Sequence, residues 1–171
     1  MKTELKAKFL QHILNKKKDE SGFTLIELLV VIIIIGILSA IALPSFLNQA
    51  AKAKQSEAKS YVGAVNRAQQ AHRIEYPQFA SSLTILEIGT PSQTVNYKYA
   101  VISGDTDKTE FTAVTEDPKS LKSFAGGVVI LGTGQTSAAA CQTKGVTATA
   151  PKVTLDATAG ASCAAADEPM K

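Results

Sequence analysis

A membrane-length apolar segment near the start of the chain constrains its fold more than any other feature. Residues 23–43 are apolar apart from four positions, Thr24, Glu27, Gly36 and Ser39. A helix of about 20 apolar residues, rising 1.5 Å per residue, spans the roughly 30 Å hydrocarbon core of a bilayer. The sequence therefore predicts a membrane-spanning helix over residues 23–43, and residues 44–171 are numerous enough to form a modest core of their own.

The charge distribution predicts the orientation of this helix. Residues 1–22 hold six lysines and three acidic side chains, and the rest of the 171-residue chain holds twelve basic and twelve acidic side chains. Because lysines directly before a membrane span favour the cytoplasmic side, we expect residues 44–171 outside the cytoplasm. The balanced remainder has no arginine-rich patch, so nothing in it indicates a nucleic-acid surface.

Three interpretations of the amino terminus are open on these grounds. A secretory signal peptide would use the small residues Ala40 and Ala42 for cleavage, but the apolar stretch exceeds the length of about 7–15 residues usual there. An uncut membrane anchor explains the length and the lysines but gives Glu27 no role, although an acid near the interface costs less than one at the helix centre. A leader cut between Gly22 and Phe23 would create an α-amine four residues before Glu27, and a carboxylate in a dry environment needs such a partner.

The residues around this third site resemble a known family. The segment Gly22-Phe23-Thr24-Leu25-Ile26-Glu27, at the head of an apolar helix, resembles the prepilin signature of type IV pilins and their pseudopilin relatives. The resemblance implies that residues 1–22 are a leader, that a prepilin peptidase cuts after Gly22, and that the same enzyme N-methylates Phe23. It also implies that Glu27 guides filament assembly by pairing with the amine of a neighbour's Phe23. Residues 56–60 and 66–71 further resemble cyanobacterial-type pilins.

The same resemblance implies partners and a location. The precursor would cross the inner membrane once, and the processed subunit would polymerise with other pilin subunits into a surface pilus with the help of a membrane assembly platform and assembly and retraction ATPases. Such a filament serves twitching motility, adhesion, aggregation or DNA uptake. A pseudopilin of a type II secretion or DNA-uptake system is the alternative within the family, and a monomeric membrane-anchored binding protein is the alternative outside it.

The helix is predicted to continue over residues 44–76. Pro77 ends it, and apolar or boundary residues recur at three- and four-residue spacing, a pattern that favours burial against a small core: Ala58, Tyr61, Val62, Val65, Ala68 and His72. Gly36 and Pro44 interrupt the helix, since glycine loosens the backbone and proline cannot donate a hydrogen bond. From the residues alone they predict a gentle kink, whereas the resemblance implies a segment that unwinds during assembly.

Residues 77–171 are predicted to form a globular β head. Strand signals begin at Tyr97 and Phe111, and a third run covers residues 124–131, with turn signals between them. Three neighbouring runs predict an antiparallel meander covered by the apolar stripe of the helix. The predicted fold class is therefore α+β, with a long amino-terminal helix packed on a small antiparallel sheet.

The tail from Gly132 is rich in small and polar residues, so it buries little apolar area and needs a covalent cross-link to stabilise it. Cys141 and Cys163 are the only cysteines of the chain. In an oxidising compartment they most simply form one disulfide, with free thiols or a shared metal ligand as the alternatives. The resemblance implies that this bridge bounds an exposed carboxyl-terminal loop, in which residues 146–155 are a candidate edge strand.

The head offers no convergent set of residues for catalysis or cofactor binding. Asp105 and Asp107 lack the glycine and the later glutamate of a calcium-binding hand loop, which favours a solvated turn. The serines have no nucleophile-elbow context, and no phosphate-binding glycine loop is present. We therefore expect a protein that is not an enzyme and that needs neither a metal nor a cofactor.

Overall fold

The computed structural model describes Lys8 and residues 22–170. Apart from Lys8 and Gly22, the leader predicted over residues 1–22 lies outside these described residues. The described residues divide into two units, an amino-terminal and a carboxyl-terminal one, with the boundary between Phe46 and Leu47.

One long helix, α1, covers Leu25–Glu75. Arg73 lies in its last turn, where positive charge complements the helix dipole. The prediction that the helix extends to residue 76 is confirmed to within one residue. Pro44 lies inside the helix, and because it lacks an N–H it cannot supply the hydrogen bond that the carbonyl four residues earlier would normally accept.

In the amino-terminal unit, the helix is both apolar and exposed around its whole circumference. Residues 25–46 are all exposed, and the most apolar stretch of 18 residues is 0% buried. By length and composition, α1 is the one helix in the described part of the chain that could cross a membrane. A helix that is apolar on every side needs lipid or other protein chains to cover it.

The carboxyl-terminal unit contains seven strands among the described residues: β1 (Tyr97–Gly104), β2 (Lys108–Thr115), β3 (Phe124–Ile130), β4 (Thr136–Gln142), β5 (Val153–Asp156), β6 (Gly160–Cys163) and β7 (Glu168–Pro169). Five of them form an antiparallel sheet in the order β1-β2-β3-β4-β7, and β5 pairs with β6 in a separate hairpin. In the register of the sheet, Tyr99 lies opposite Ala113, and Phe111 lies opposite Gly126. The predicted three-stranded meander is confirmed as β1, β2 and β3.

The hydrophobic core of this unit lies between the second half of α1 and one face of the sheet. The predicted helix stripe is confirmed at its centre, where Ala58, Val62 and Val65 are fully buried, whereas Tyr61 is half-buried at its border. Their partners in the core are mainly large residues of the sheet and its loops: Tyr97, Tyr99, Phe111, Leu121 and Phe124. The core is therefore built on aromatic rings, which bury large apolar areas and favour offset or edge contacts.

Two consecutive glycines in β3 allow a layer to pack on each face of the sheet. A Cβ atom on Gly126 would lie 2.5 Å from Oδ1 of Asn66 and 2.9 Å from Cγ1 of Val62, both on α1. A Cβ atom on Gly127 would lie 2.9 Å from Cδ2 of Leu155, on β5. Because successive residues of a strand point to opposite faces, α1 covers one face of the sheet and the β5–β6 hairpin covers the other.

The tail after Gly132 contains more regular structure than the sequence predicts. The β4 strand extends the meander beyond β3, with Cys141 opposite Ala125, and β7 pairs with the end of β4. β4 consists mostly of small residues, so its position depends on backbone pairing with β3 and on burial, which local propensity does not show. Of the predicted edge strand over residues 146–155, only Val153–Asp156 forms a strand, and it pairs with β6 instead of the edge of the main sheet.

Candidate functional site

The start of α1 is organised by reciprocal hydrogen bonds between Thr24 and Glu27. The backbone N–H and the hydroxyl of Thr24 each donate to Oε2 of Glu27 at 2.8 Å, and the N–H of Glu27 donates to Oγ1 of Thr24 at 3.3 Å. The N–H of Leu28 donates to the Thr24 carbonyl at 3.3 Å. Thr24 is therefore the N-cap residue of a capping box, and Glu27 occupies its third helical position.

This capping box gives Glu27 a role within its own chain that the sequence interpretation missed. The signal was present, since a threonine followed three residues later by a glutamate before an apolar run is the usual form of the motif. Within the described part of the chain, the hydrogen bonds to the exposed Glu27 carboxylate all use Oε2. The negative charge and Oε1 are thus in a position to bind a partner supplied by another chain.

The predicted cleavage site lies just before the helix. Gly22 and Phe23 precede the first helical residue, Leu25, and both are exposed, with 80% of Phe23 accessible. A Cβ atom on Gly22 would meet no heavy atom within 4 Å. The peptide bond between Gly22 and Phe23 is therefore outside regular structure, a state in which a protease can bind it in extended form.

Gly36 and Pro44 lie inside α1 without interrupting its assignment as one helix. A Cβ atom on Gly36 would meet no heavy atom within 4 Å, so close packing in the folded chain does not explain the glycine. The structure places the two residues in the exposed apolar part of the helix. Their predicted flexibility during assembly stays a prediction.

Hydrogen bonds around the Glu57 carboxylate, here called the Glu57 cluster, join α1 to the first strand of the head. Oε1 of Glu57 accepts a hydrogen bond from the Tyr99 hydroxyl at 3.2 Å, and Oε2 accepts one from the Asn96 side-chain amide at 3.0 Å. Burial raises the pKa of the Glu57 carboxyl, but hydrogen bonds from Thr94, Asn96 and Tyr99 outweigh it and bring the pKa below its usual 4.5. The helix stripe predicted from the sequence does not include Glu57, so this contact was not expected.

Two buried amides of α1 form further polar contacts that the sequence interpretation missed. Nδ2 of Asn66 donates to the carbonyl of Ala139 on β4 at 2.9 Å. The Gln69 side chain makes two hydrogen bonds with the backbone of Ala80, one in each direction and both 2.9 Å long. A buried amide is stable only when such partners satisfy it, so the two residues specify how the sheet and the following loop dock on the helix.

The predicted disulfide is confirmed. Cys141 on β4 bonds to Cys163 on β6, with their Cα atoms 5.6 Å apart. The bond therefore joins the main sheet to the hairpin that covers it.

His72, predicted to be a boundary packing residue, is half-buried. Its Nδ1 lies 3.1 Å from the Gln78 carbonyl oxygen, and its ring stacks on Tyr76 with the centroids 4.5 Å apart. Nowhere in the described ranges do three or more potential metal ligands cluster. The stacking on Tyr76 and the contact with Gln78 give His72 a packing role in the last turn of α1.

Comparison with protein families gives two matches. Residues 55–164 match the type IV pilin-like G and H family, which is more than half of the chain. Residues 17–43 match the prokaryotic N-terminal methylation motif.

Individual relatives match part of the chain. The type IV major pilin protein PilA of Myxococcus xanthus is 43% identical over 90 residues, which cover 49% of this chain and 39% of that protein. A fimbrial protein of Pseudomonas aeruginosa is 42% identical over 67 residues, covering 39% of this chain and 44% of that protein. The type II secretion system core protein G of Pseudomonas aeruginosa is 34% identical over 74 residues, which cover 42% of this chain and 52% of that protein. The chain thus spans about two fifths to one half of the length of these relatives.

Proposed function

Because this chain belongs to the type IV pilin-like family, we propose that it is a structural subunit of a type IV pilus. The observation that carries the proposal is the first part of α1, residues 25–46, which is apolar and exposed on every side. Gly22 and Phe23 lie just before it. Such a surface requires cover from lipid before assembly and from neighbouring helices afterwards. The proposed role is structural, and it assigns the chain no catalytic step.

The first step of the proposal is processing. A prepilin peptidase cuts after Gly22 and N-methylates Phe23, which removes the basic leader and makes the apolar helix the new amino terminus. The exposed, non-helical state of residues 22 and 23 supports this step, since a protease needs an accessible peptide bond. The match to the methylation motif over residues 17–43 supports it as well.

The second step is assembly. The Glu27 carboxylate pairs with the amine of Phe23 on a neighbouring subunit, because a charge removed from water is stable only with a partner. The capping box supports this role, since it holds one carboxylate oxygen on Thr24 and orients the group at the helix terminus. Packing between helices replaces contacts with lipid, so the driving force is packing and ion pairing and not transfer from water.

The location follows from the same steps. The precursor crosses the inner membrane once with its head outside the cytoplasm, and the assembled subunit lies in a pilus on the cell surface. Other pilin subunits, an assembly platform and assembly ATPases are the proposed partners. Gly36 and Pro44 are proposed to let the helix unwind locally during the transfer from membrane to filament.

The test of this proposal is mass spectrometry of filaments sheared from the cell surface. We expect an intact chain that begins at N-methylated Phe23 and lacks residues 1–22. Gly22→Val should block the cut and leave the precursor in the membrane, whereas Gly36→Val, the same change at another uncrowded glycine, should be processed normally. Sheared filaments without this chain, or a mature Gly22→Val protein, would contradict the proposal.

The similarity to a type II secretion core protein favours one second candidate. A pseudopilin would share the processed stem but build a short periplasmic filament. Recovery of the processed chain from the periplasm alone, with none in the sheared fraction, would identify this second function.

A further inference from the structure

An acidic, partly apolar groove lies in the carboxyl-terminal unit, where the last turns of α1 face the turn formed by residues 83–87. Its volume is about 830 Å³. The lining includes small and large apolar side chains, among them Ala68, Ala71, Tyr76, Ile85, Leu86 and Ile88. Ile85 is 50% exposed and Tyr76 is 54% exposed, so the groove presents apolar surface to solvent.

The charged side chains of the groove give it a negative rim. Glu75 and Glu87 both line it and are exposed, and His72 is the basic side chain among the lining residues. The neighbouring Arg73 turns to the backbone instead, donating to the Thr106 carbonyl at 3.1 Å and to the Tyr76 carbonyl at 3.3 Å. Among the lining residues, the rim therefore carries two exposed carboxylates.

The groove is held open by contacts that do not involve Glu75 or Glu87. The buried Gln69 amide binds the Ala80 backbone through two hydrogen bonds of 2.9 Å, and Nδ1 of His72 lies 3.1 Å from the Gln78 carbonyl oxygen. These contacts fix the loop that follows α1 against the helix. A site that is formed before its partner arrives binds with a smaller loss of conformational entropy.

The same chain carries a surface that complements this groove. Leu47, Ala50 and Lys54 are spaced by three and four residues, so they lie along one stripe of α1. Leu47 is 58% exposed, and Lys54 is exposed as well. This stripe combines apolar side chains with a lysine one turn beyond them, which matches an apolar groove with an acidic rim.

We propose that the groove binds the Leu47–Lys54 stripe of a second copy of this chain, with Lys54 of that copy placed between Glu75 and Glu87. The inference rests on the proposed function, because it assigns one specific contact between subunits of the filament. Leu47 then fills the apolar part of the groove, and the opposite charges fix the register of the two copies. Lys54 also lies within electrostatic reach of Asp117 in its own head, so the test must separate contacts within a chain from contacts between chains.

The first experiment is a charge exchange in the full-length protein, measured as the yield of sheared filaments. Lys54→Glu alone, and the pair Glu75→Lys with Glu87→Lys, should each reduce the yield about tenfold, because like charges then face each other across the contact. All three changes in one chain should restore the yield to within about twofold of the original protein, since opposite charges again face each other. If Lys54→Glu reduced the filament yield only by disturbing the Lys54–Asp117 interaction, the changes at residues 75 and 87 would not restore the yield.

Lys52 provides a matched control. It is an exposed lysine two residues away on α1 and therefore points about 200° around the helix from Lys54. Lys52→Glu should leave the yield unchanged. An equal loss with Lys52→Glu, or no recovery in the triple variant, would overturn the assignment of the groove.

The second experiment tests the contact without changing charge. Leu47→Cys combined with Ile85→Cys should give disulfide-linked multimers in sheared filaments on a non-reducing gel. Leu47→Cys with Val146→Cys, a partly exposed apolar residue on another part of the head, should give none. Sheared filaments that form normally but cross-link through Val146, or not at all, would overturn the groove assignment alone, whereas the absence of this chain from the filaments would overturn the proposed function together with it.

Discussion

The Thr24 hydroxyl lies 2.8 Å from the Glu27 carboxylate, and the two side chains cap the same helix end through which the chain is proposed to polymerise. One oxygen of the Glu27 carboxylate therefore takes part in capping the helix, and the negative charge remains for a partner on another subunit. Two roles of Glu27, local capping and pairing between subunits, can be separated because they require different chemistry.

Glu27→Gln should separate them. Glutamine at the third helical position can still accept the hydrogen bonds of a capping box, but it carries no charge. We expect Glu27→Gln and Glu27→Ala to be cleaved and membrane-inserted normally and both to yield few sheared filaments. Filament counts by electron microscopy and immunoblots of the membrane fraction measure the two outcomes. Normal assembly of Glu27→Gln would mean that capping, and not charge, is what the filament needs.

Thr24→Val should weaken the start of the helix without removing the charge. Valine has a similar shape, but its side chain can neither donate to the Glu27 carboxylate nor accept the Glu27 N–H, and loss of an N-cap typically costs about 0.5–2 kcal/mol. We expect faster hydrogen exchange in the first turn of α1 and a lower filament yield. Thr24→Ser keeps the hydroxyl and should behave like the original protein, so equal effects of valine and serine would refute the role of the hydroxyl.

Gly126→Ala should destabilise the head. The new methyl group would meet Oδ1 of Asn66 at 2.5 Å and Cγ1 of Val62 at 2.9 Å, so α1 or β3 must shift. Overpacking of this kind typically lowers the free energy of unfolding by about 1–3 kcal/mol. Urea unfolding of the full chain in detergent measures the change. Gly132→Ala is the control, since its Cβ would meet nothing within 4 Å.

The Glu57 cluster should make part of the head's stability depend on pH. The pKa of Glu57 is lower in the folded chain than its usual 4.5, so the ionised group stabilises the fold above about pH 4.5, and this contribution is lost as the pH falls through the lowered value. In Glu57→Gln the loss of stability below pH 4.5 should be smaller than in the original protein. Thermal unfolding at several pH values between about 3 and 7 tests this, and identical pH profiles would rule out the cluster as the cause.

Loss of the disulfide should weaken the attachment of the β5–β6 hairpin. Cys141 and Cys163 are 22 residues apart in sequence, and in the chain-entropy model a loop of this length contributes about 3 kcal/mol. The double variant Cys141→Ser with Cys163→Ser should unfold at a lower urea concentration, as should the original protein in reductant. Reductant should leave the double variant unchanged, and a shift there would point to an effect unrelated to this bond.

Some parts of the fold could be predicted because local patterns determine them. The apolar period between Ala58 and Val65, the alternation around Tyr97 and the stop at Pro77 each depend on neighbouring residues and all are confirmed. The disulfide was predictable because two cysteines of one exported segment have few alternatives. The family was predictable from a short motif whose residues are specific in combination, whereas the cyanobacterial subgroup stays a prediction.

Other parts could not be predicted because distant residues determine them. β4 consists mainly of alanine, serine and threonine, and it is a strand because β3 offers it a ladder partner. The partners of Asn66 and Gln69 lie 73 and 11 residues away, so no local pattern indicates that these amides are buried and satisfied. The capping box is different, since its signal, a threonine three residues before a glutamate, is local.

The packing of α1 on the sheet also has a mechanical consequence. A tensile load on the helical segment of the head reaches β4 through Asn66 and reaches β3 through the close contact at Gly126. Both are interior strands with a hydrogen-bonded neighbour on each side, and Cys141 on β4 carries part of the load covalently to the outer hairpin. A pulling force is therefore transmitted to interior strands that are hydrogen-bonded on both sides, and not to an edge strand that could separate from the sheet. Under tension we expect contacts between subunits to yield before a head unravels.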